Sequence, residues 1–194
     1  NRKAASDSTV IDFKAMQTAG DAFVATAGVN AAGEVQTVTF ATDGKKGDFL
    51  QVYGHVDIDL FGLVTVRGGF AFERSTRSIT LSNNTTANTS VLAFGMTDVD
   101  ALLGYAGDAP DGSDDFGLRL SDVDLALVTF SEQGGRRWIA VDSNIGSAEV
   151  LGIPGITVGI NQADILVSKA ASDGTVVDFK KMKDSGNAVD VTTG

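Results

Sequence analysis

The sequence predicts an all-β chain built from tandem repeats, and three observations carry that prediction. The first is a long alternation. Over residues 50–72 every even position is Leu, Val, Ile, Phe or Gly, while the odd positions include Gln51, His55, Asp57, Asp59, Thr65, Arg67 and Glu73. Period two held this long marks a half-buried sheet surface; a helix, at period 3.6, would mix the two sets. The second is composition. Apolar positions are largely Val, Ile, Leu, Phe and Ala mixed with Thr, and the 194 residues hold 23 Gly and only 2 Pro, which suits pleated strands. The third is a segment that occurs twice. Residues 3–16 read KAASDSTVIDFKAM and residues 169–182 read KAASDGTVVDFKKM, identical at eleven of fourteen positions at an offset of 166. The differences are Ser8 against Gly174, Ile11 against Val177 and Ala15 against Lys181. Beyond it Gly20, Ala22 and Thr26 stay in register with Gly186, Ala188 and Thr192.

The repetition sets the expected organisation: one full repeat over 1–166 and the start of the next over 167–194. No Pro-rich or Gly/Ser-rich spacer flanks either copy, so beads on a flexible string are disfavoured. Nested repeats without linkers favour units that cap one another. The expected form is an elongated β-solenoid or a curled sheet of long strands, with a compact β-sandwich repeat as the alternative. Each copy of the repeated segment is expected to form a strand at a matching place.

Taken in order, residues 10–16 alternate weakly and read as a strand, with a short helix over 13–16 as the alternative. Residues 19–33, rich in Gly and Ala, read as turns around a short strand at 23–25. EVQTVTFA at 34–41 is a strand, and DGKKG at 43–47 is a turn, since Asp-Gly supplies a positive-φ position. One strand spanning 50–72 would be unusually long, so Gly54, Gly62 and Gly68 are expected bends or bulges. NNTTANTS at 83–90 reads as a polar loop with overlapping sequons at Asn83, Asn84 and Asn88. SEQGG at 131–135 is a hairpin turn, and RWIAVD at 137–142 a strand whose Trp138 reads as a core or edge aromatic.

A weaker repeat is nested inside the strong one. TDVDALL at 97–103 returns as SDVDLAL at 121–127 and NQADILV at 161–167. Residues 54–66 resemble 146–158, with one extra residue at Ile153-Pro154 between Gly146 and Gly155 relative to Gly54 and Gly62, as a bulge would require.

Charge and composition exclude several functions. With 25 acidic and 15 basic residues the net charge is −10, which argues against nucleic acid and against docking on anionic membranes. No apolar run approaches the ~18 residues of a membrane span. The absence of Cys excludes disulfides and thiolate metal sites. It fits either the cytosol or bacterial secretion without disulfides, and the array favours the second. A start inside a repeat leaves targeting unread.

Catalysis finds little support. The lone His55 lies on the polar face of the alternating stretch, no G-x-S-x-G elbow exists, and the glycine pairs at 68–69 and 134–135 lack a phosphate-loop Lys-Ser/Thr. No catalytic or cofactor-binding residue is assigned, and an enzyme is not expected. Carboxylates are the recurring chemical feature. Asp57/Asp59, Asp98/Asp100 and Asp122/Asp124 form D-x-D pairs, which a strand projects from one face about 6.6 Å apart. Asp108, Asp111, Asp114 and Asp115 cluster in DAPDGSDDFG. Two readings stand: a solvated acidic surface, or a Ca²⁺ site whose candidate ligands are Asp57, Asp59, Asp108, Asp111, Asp114 and Asp115. The spacing is not an EF-hand.

An acidic, Cys-free, Val/Thr/Gly/Asp-rich β repeat copied nearly verbatim, KAASD-x-TV-[IV]-DF included, resembles the repeat regions of giant bacterial secreted or cell-surface adhesins. The nonapeptide of the RTX adhesins is absent. The resemblance implies an extracellular extender or adhesive segment on the bacterial surface, whose partners are adjacent repeats of the same chain and a surface glycan or protein receptor. Three functions are therefore in play: a structural repeat of a surface fibre, a glycan- or calcium-binding module of the same array, and a polysaccharide-acting enzyme on a β-solenoid. The last needs carboxylates facing each other across a groove, whereas the D-x-D pairs share a face.

Overall fold

The computed structural model describes residues 4, 9–109, 112–189 and 193. The chain is all-β, with 59% of residues in strands and 8% in helices. It divides into two compact units, Asn1–Leu50 and Gln51–Gly194.

The first unit holds helix α1 (Phe13–Thr18), strands β1 (Val24–Val29) and β2 (Val35–Thr39), and a 3₁₀ turn at Gly44–Lys46. The expected strand over 10–16 is instead a helix from Phe13 onward. Asp12 decides it: its carboxylate accepts from the Ala15 amide at 3.0 Å, capping the helix. The following Lys, Ala and Met are strong helix formers, and Gly20 at φ +89° lets the chain leave. The rings of Phe13, Phe23 and Phe40 then meet at 5.2–5.8 Å between centroids. Between the antiparallel β1 and β2, Asn30 Oδ1 accepts from the amides of Ala32 and Glu34, each at 3.0 Å, and sets the turn.

The second sheet is an antiparallel meander in chain order: β3 (Phe49–Leu60), β4 (Val64–Thr80), β5 (Thr86–Tyr105), β6 (Phe116–Glu132), β7 (Arg137–Leu151) and β8 (Val158–Lys169). Helix α2 (Phe179–Asp184) follows. No closed barrel or solenoid is formed among the described residues.

The alternating stretch of residues 50–72 is thus two strands. Phe61 at φ +57° and Gly62 at φ +68° make the turn, and Asp59 Oδ1 accepts from the Gly62 amide at 2.7 Å. The single in/out register expected across the whole stretch does not hold. Before Gly68 the even positions Val56, Val64 and Val66 are half-buried and His55, Asp57 and Asp59 are exposed. Beyond it the odd positions Ala71, Glu73, Ser75 and Ile79 are buried, while Phe70 and Phe72 are only half-buried. The exchange falls at a bulge where β5 sets Asp98 and Val99 against the single residue Gly68 of β4. Leu50, Val52, Ile58 and Leu60, on the edge strand β3, are exposed. Buried Glu73, 3% exposed, is paired with Arg77 at 2.7 Å.

Two further expectations shift. The polar loop over 83–90 shrinks to a turn, since β5 begins at Thr86 and buries Ala87 and Thr89; Thr is a good strand residue. The residue extra to 146–158 makes no bulge. It lies in the loop between β7 and β8, so the matching stretches 54–66 and 146–158 are both strand–turn–strand hairpins.

Candidate functional site: the seat of the repeated segment

The largest side chains of the core lie at one end of the six-stranded sheet. Ile79, Leu81, Ala87, Val91, Phe130 and Trp138 come from β4 to β7 or just beyond β4, and Ala171, Val177 and Met182 come from the second copy of the repeated segment. That copy enters through a tight turn, where the Gly174 amide donates to Ala171 O at 3.0 Å and Gly174 takes φ +79°. Residues 176–178 then extend along the end of β4. The Asp178 amide donates to Thr80 O and the Ser82 amide to Val176 O, both at 2.9 Å, with Leu81 and Val177 paired antiparallel. Asp178 caps α2, accepting from the Lys181 amide at 3.0 Å. One turn on, Met182 is driven into the core, 1% exposed.

A polar chain fastens this seat. Arg136 grips Glu132 with Nε at 2.6 Å and Nη2 at 2.8 Å, and reaches Asp173 with Nη1 at 2.9 Å. Asp173 Oδ1 accepts from the Thr175 hydroxyl at 2.7 Å and amide at 3.0 Å. The Trp138 indole N–H donates to Thr175 O at 3.0 Å and lies 3.2 Å from Thr175 Oγ1. The Arg136 guanidinium also stacks 5.2 Å from the Trp138 ring centre. The core reading of Trp138 holds, and the indole N–H is satisfied as burial demands.

These contacts set the electrostatics. The Thr175 hydroxyl, then Arg136, hold the Asp173 carboxyl down at about 2. Arg136 holds Glu132 below its usual range, and both carboxylates raise Arg136 further. Asp173 therefore favours the folded chain above its ordinary value near 3.8 and loses that contribution as pH falls toward about 2. An acid titration of Asp173→Asn should be flatter between pH 4 and pH 2 than that of the parent chain. Identical acid transitions, followed by Trp138 emission, would show that the pair does not hold the seat.

The first copy has the same local structure in different surroundings. Asp12 and Asp178 have nearly equal cap angles, φ −95°, ψ 84° and φ −93°, ψ 82°. The Asp21 amide bonds Met16 O at 2.9 Å as the Asn187 amide bonds Met182 O at 2.8 Å. Yet Ile11 is 55% exposed where Val177 is buried, and Met16 is half-buried where Met182 is enclosed.

The acidic residues singled out from the sequence take local partners where they are described. Among the described residues no group of three or more His, Cys, Asp or Glu is placed to hold a metal. Asp57 pairs with Arg67 at 3.1 Å and Asp59 serves the β3–β4 turn. Asp114 accepts from the amides of Asp108 and Ala109, while Asp115 accepts from the Gly107 amide and pairs with Arg119. Asp111 lies outside the described residues.

The other D-x-D pairs have a structural use that spacing alone did not reveal. Asp98 at φ +51°, Asp122 at φ +55° and Gln162 at φ +60° occupy the second position of the three nested repeats. Each is an irregularity inside a strand. Asp124 Oδ1 accepts from the Asp98 amide at 3.1 Å, and Asp100 Oδ1 from the Asp122 amide at 3.3 Å, so each pair serves the other's kink. Glycines make room: a Cβ at Gly68 would lie 3.0 Å from Asp98 O, and one at Gly146 2.7 Å from Asp122 Cβ.

No protein-family model, curated protein or solved structure matches this chain. Among the described residues no helix is long and apolar enough to cross a membrane.

Proposed function

We propose that this chain is a structural repeat of a bacterial extracellular surface fibre or adhesin, in which successive sheets are joined through the repeated segment. What carries the reading is the seat of the second copy. A segment that recurs after 166 residues supplies core residues to the sheet that precedes it. Each segment would then close one sheet and open the next repeat, giving an elongated array without flexible spacers. The absence of Cys and the net charge of −10 suit a soluble extracellular array.

A chain of residues 1–166 followed by 1–194 tests the joining. Its thermal midpoint should exceed that of the single chain, and its maximum dimension by small-angle scattering should nearly double. Two copies that melt at the single-chain midpoint would reduce the array to independent beads. Antibodies against the chain should label intact cells of the source; labelling only after lysis would refute the extracellular assignment.

A further inference from the structure

We infer that the first copy of the segment is a ligand for the same seat on a second copy of this chain. The inference deepens the proposed function and rests on it for the identity of the partner. Its physical basis is the match between the residues that fill the seat and those the first copy carries. Thr9 and Met16 repeat Thr175 and Met182, and Ile11 replaces Val177 with one more methylene. Asp7 repeats Asp173, the carboxylate that Arg136 grips. The helix and its cap are already formed over residues 12–18 of the first copy, so that part needs no ordering on docking.

Three of the remaining differences make the first copy the weaker ligand without barring it. Ser8 stands for Gly174, whose φ of +79° strains any side chain, yet a Cβ there meets nothing within 4 Å. Ala15 gives up the Lys181 ammonium, which reaches only the exposed Asn84 and its own cap Asp178. Phe23 replaces Val189, the larger change. Val189 borders an open groove of about 460 Å³ lined by Val128, Val141, Val167 and Phe179, which has room for a ring. The resident copy therefore keeps its seat in the intact chain, and a second chain enters where the resident is dislodged. A contact of one chain's start with another's sheet end is head-to-tail, so the same contact can be repeated from chain to chain.

Two experiments on the full chain test this. The first is the variant Gly174→Ser, Val177→Ile, Lys181→Ala, Val189→Phe, which gives the resident copy the residues of the first over 169–182 and at 189. Trp138 emission should stay that of a buried indole, and the midpoint should fall by less than about 5 °C. Exposure of Trp138 would overturn the inference. The second uses the absence of native Cys. Ser82→Cys with Val176→Cys in one chain should close a disulfide, because their backbones pair. Ser82→Cys in a chain carrying Met182→Asp should then cross-link to a chain carrying Val10→Cys, Val10 being the counterpart of Val176. The product should vanish when the Val10→Cys chain also carries Met16→Asp. An intramolecular disulfide that forms without the intermolecular one would overturn the inference. Neither readout depends on where the protein resides, so a failure here is separate from a failure of cell labelling.

Discussion

Replacing Met182 by Asp should dislodge the second copy of the repeated segment and bring Trp138 into water. Met182 is 1% exposed and is surrounded by apolar residues. A carboxylate there would face that apolar cluster, and an unpaired buried charge costs roughly 3–5 kcal/mol. That is a large share of the ~5–15 kcal/mol that holds a typical domain together. The segment itself is tied to β4 by few backbone bonds, so it should leave before the long strands part. Trp138 is the only tryptophan, which makes its emission a direct reporter: a red shift with the strand circular dichroism retained is the expected result. Met16→Asp is the matched control. The two methionines occupy equivalent positions in equivalent helices, but Met16 is half-buried, and its replacement should cost less than about 1 kcal/mol. Equal losses for the two variants would mean that the seat contributes nothing beyond the helix.

That contrast also marks where the sequence was informative. The repetition pointed to the segment, and the alternation pointed to strands and to the all-β class. Neither could say that the segment is a capped helix, because the period of residues 10–16 is too short to separate from a strand, and the Asp12 cap counts only once the helix exists. The seat was illegible for a different reason. Glu132, Arg136, Trp138 and Asp173 meet through pairing of β6 with β7 and the return of a segment thirty-seven residues after Trp138, and no local pattern encodes such a return. The acidic pairs were legible as pairs, but their use inside the sheet was not. Two carboxylates at i and i+2 suggest a cation, whereas here the Asp98/Asp100 and Asp122/Asp124 pairs answer backbone amides freed by kinks in the neighbouring strand. The bulge at Gly68 was visible as a glycine, but its consequence, the exchange of faces beyond it, depends on pairing with β5.

Gly117→Ala should be among the most damaging small changes in the sheet. Gly117 pairs with Gly104 across β5 and β6. Its φ is +134°, and a Cβ there would lie 2.2 Å from Leu103 O and 2.7 Å from Gly104 Cα. Both obstacles are backbone, so no side chain can swing aside, and the strands must separate locally or lose register. Strain and overpacking together should cost about 3 kcal/mol. Gly155→Ala separates conformational strain from collision: φ is +77°, but nothing lies within 4 Å of a Cβ, so the cost should be only about 1–2 kcal/mol. Urea denaturation measures both, and hydrogen exchange at residues 102–104 and 116–118 should accelerate in Gly117→Ala alone. A Gly117→Ala chain as stable as the parent would show that β5 and β6 do not approach as closely as described.

The placement of the segment has a consequence for how such a chain can lengthen. The sheet is closed by a stretch lying after it in the sequence, and a near-duplicate stretch lies 166 residues earlier. Copying 166 consecutive residues in frame, with the copy beginning anywhere from residue 17 to residue 29, would add one sheet and one stretch together. Every new opening arrives with its own stopper, so growth by unequal crossing-over leaves no unfilled end inside the product and requires no second mutation to repair one.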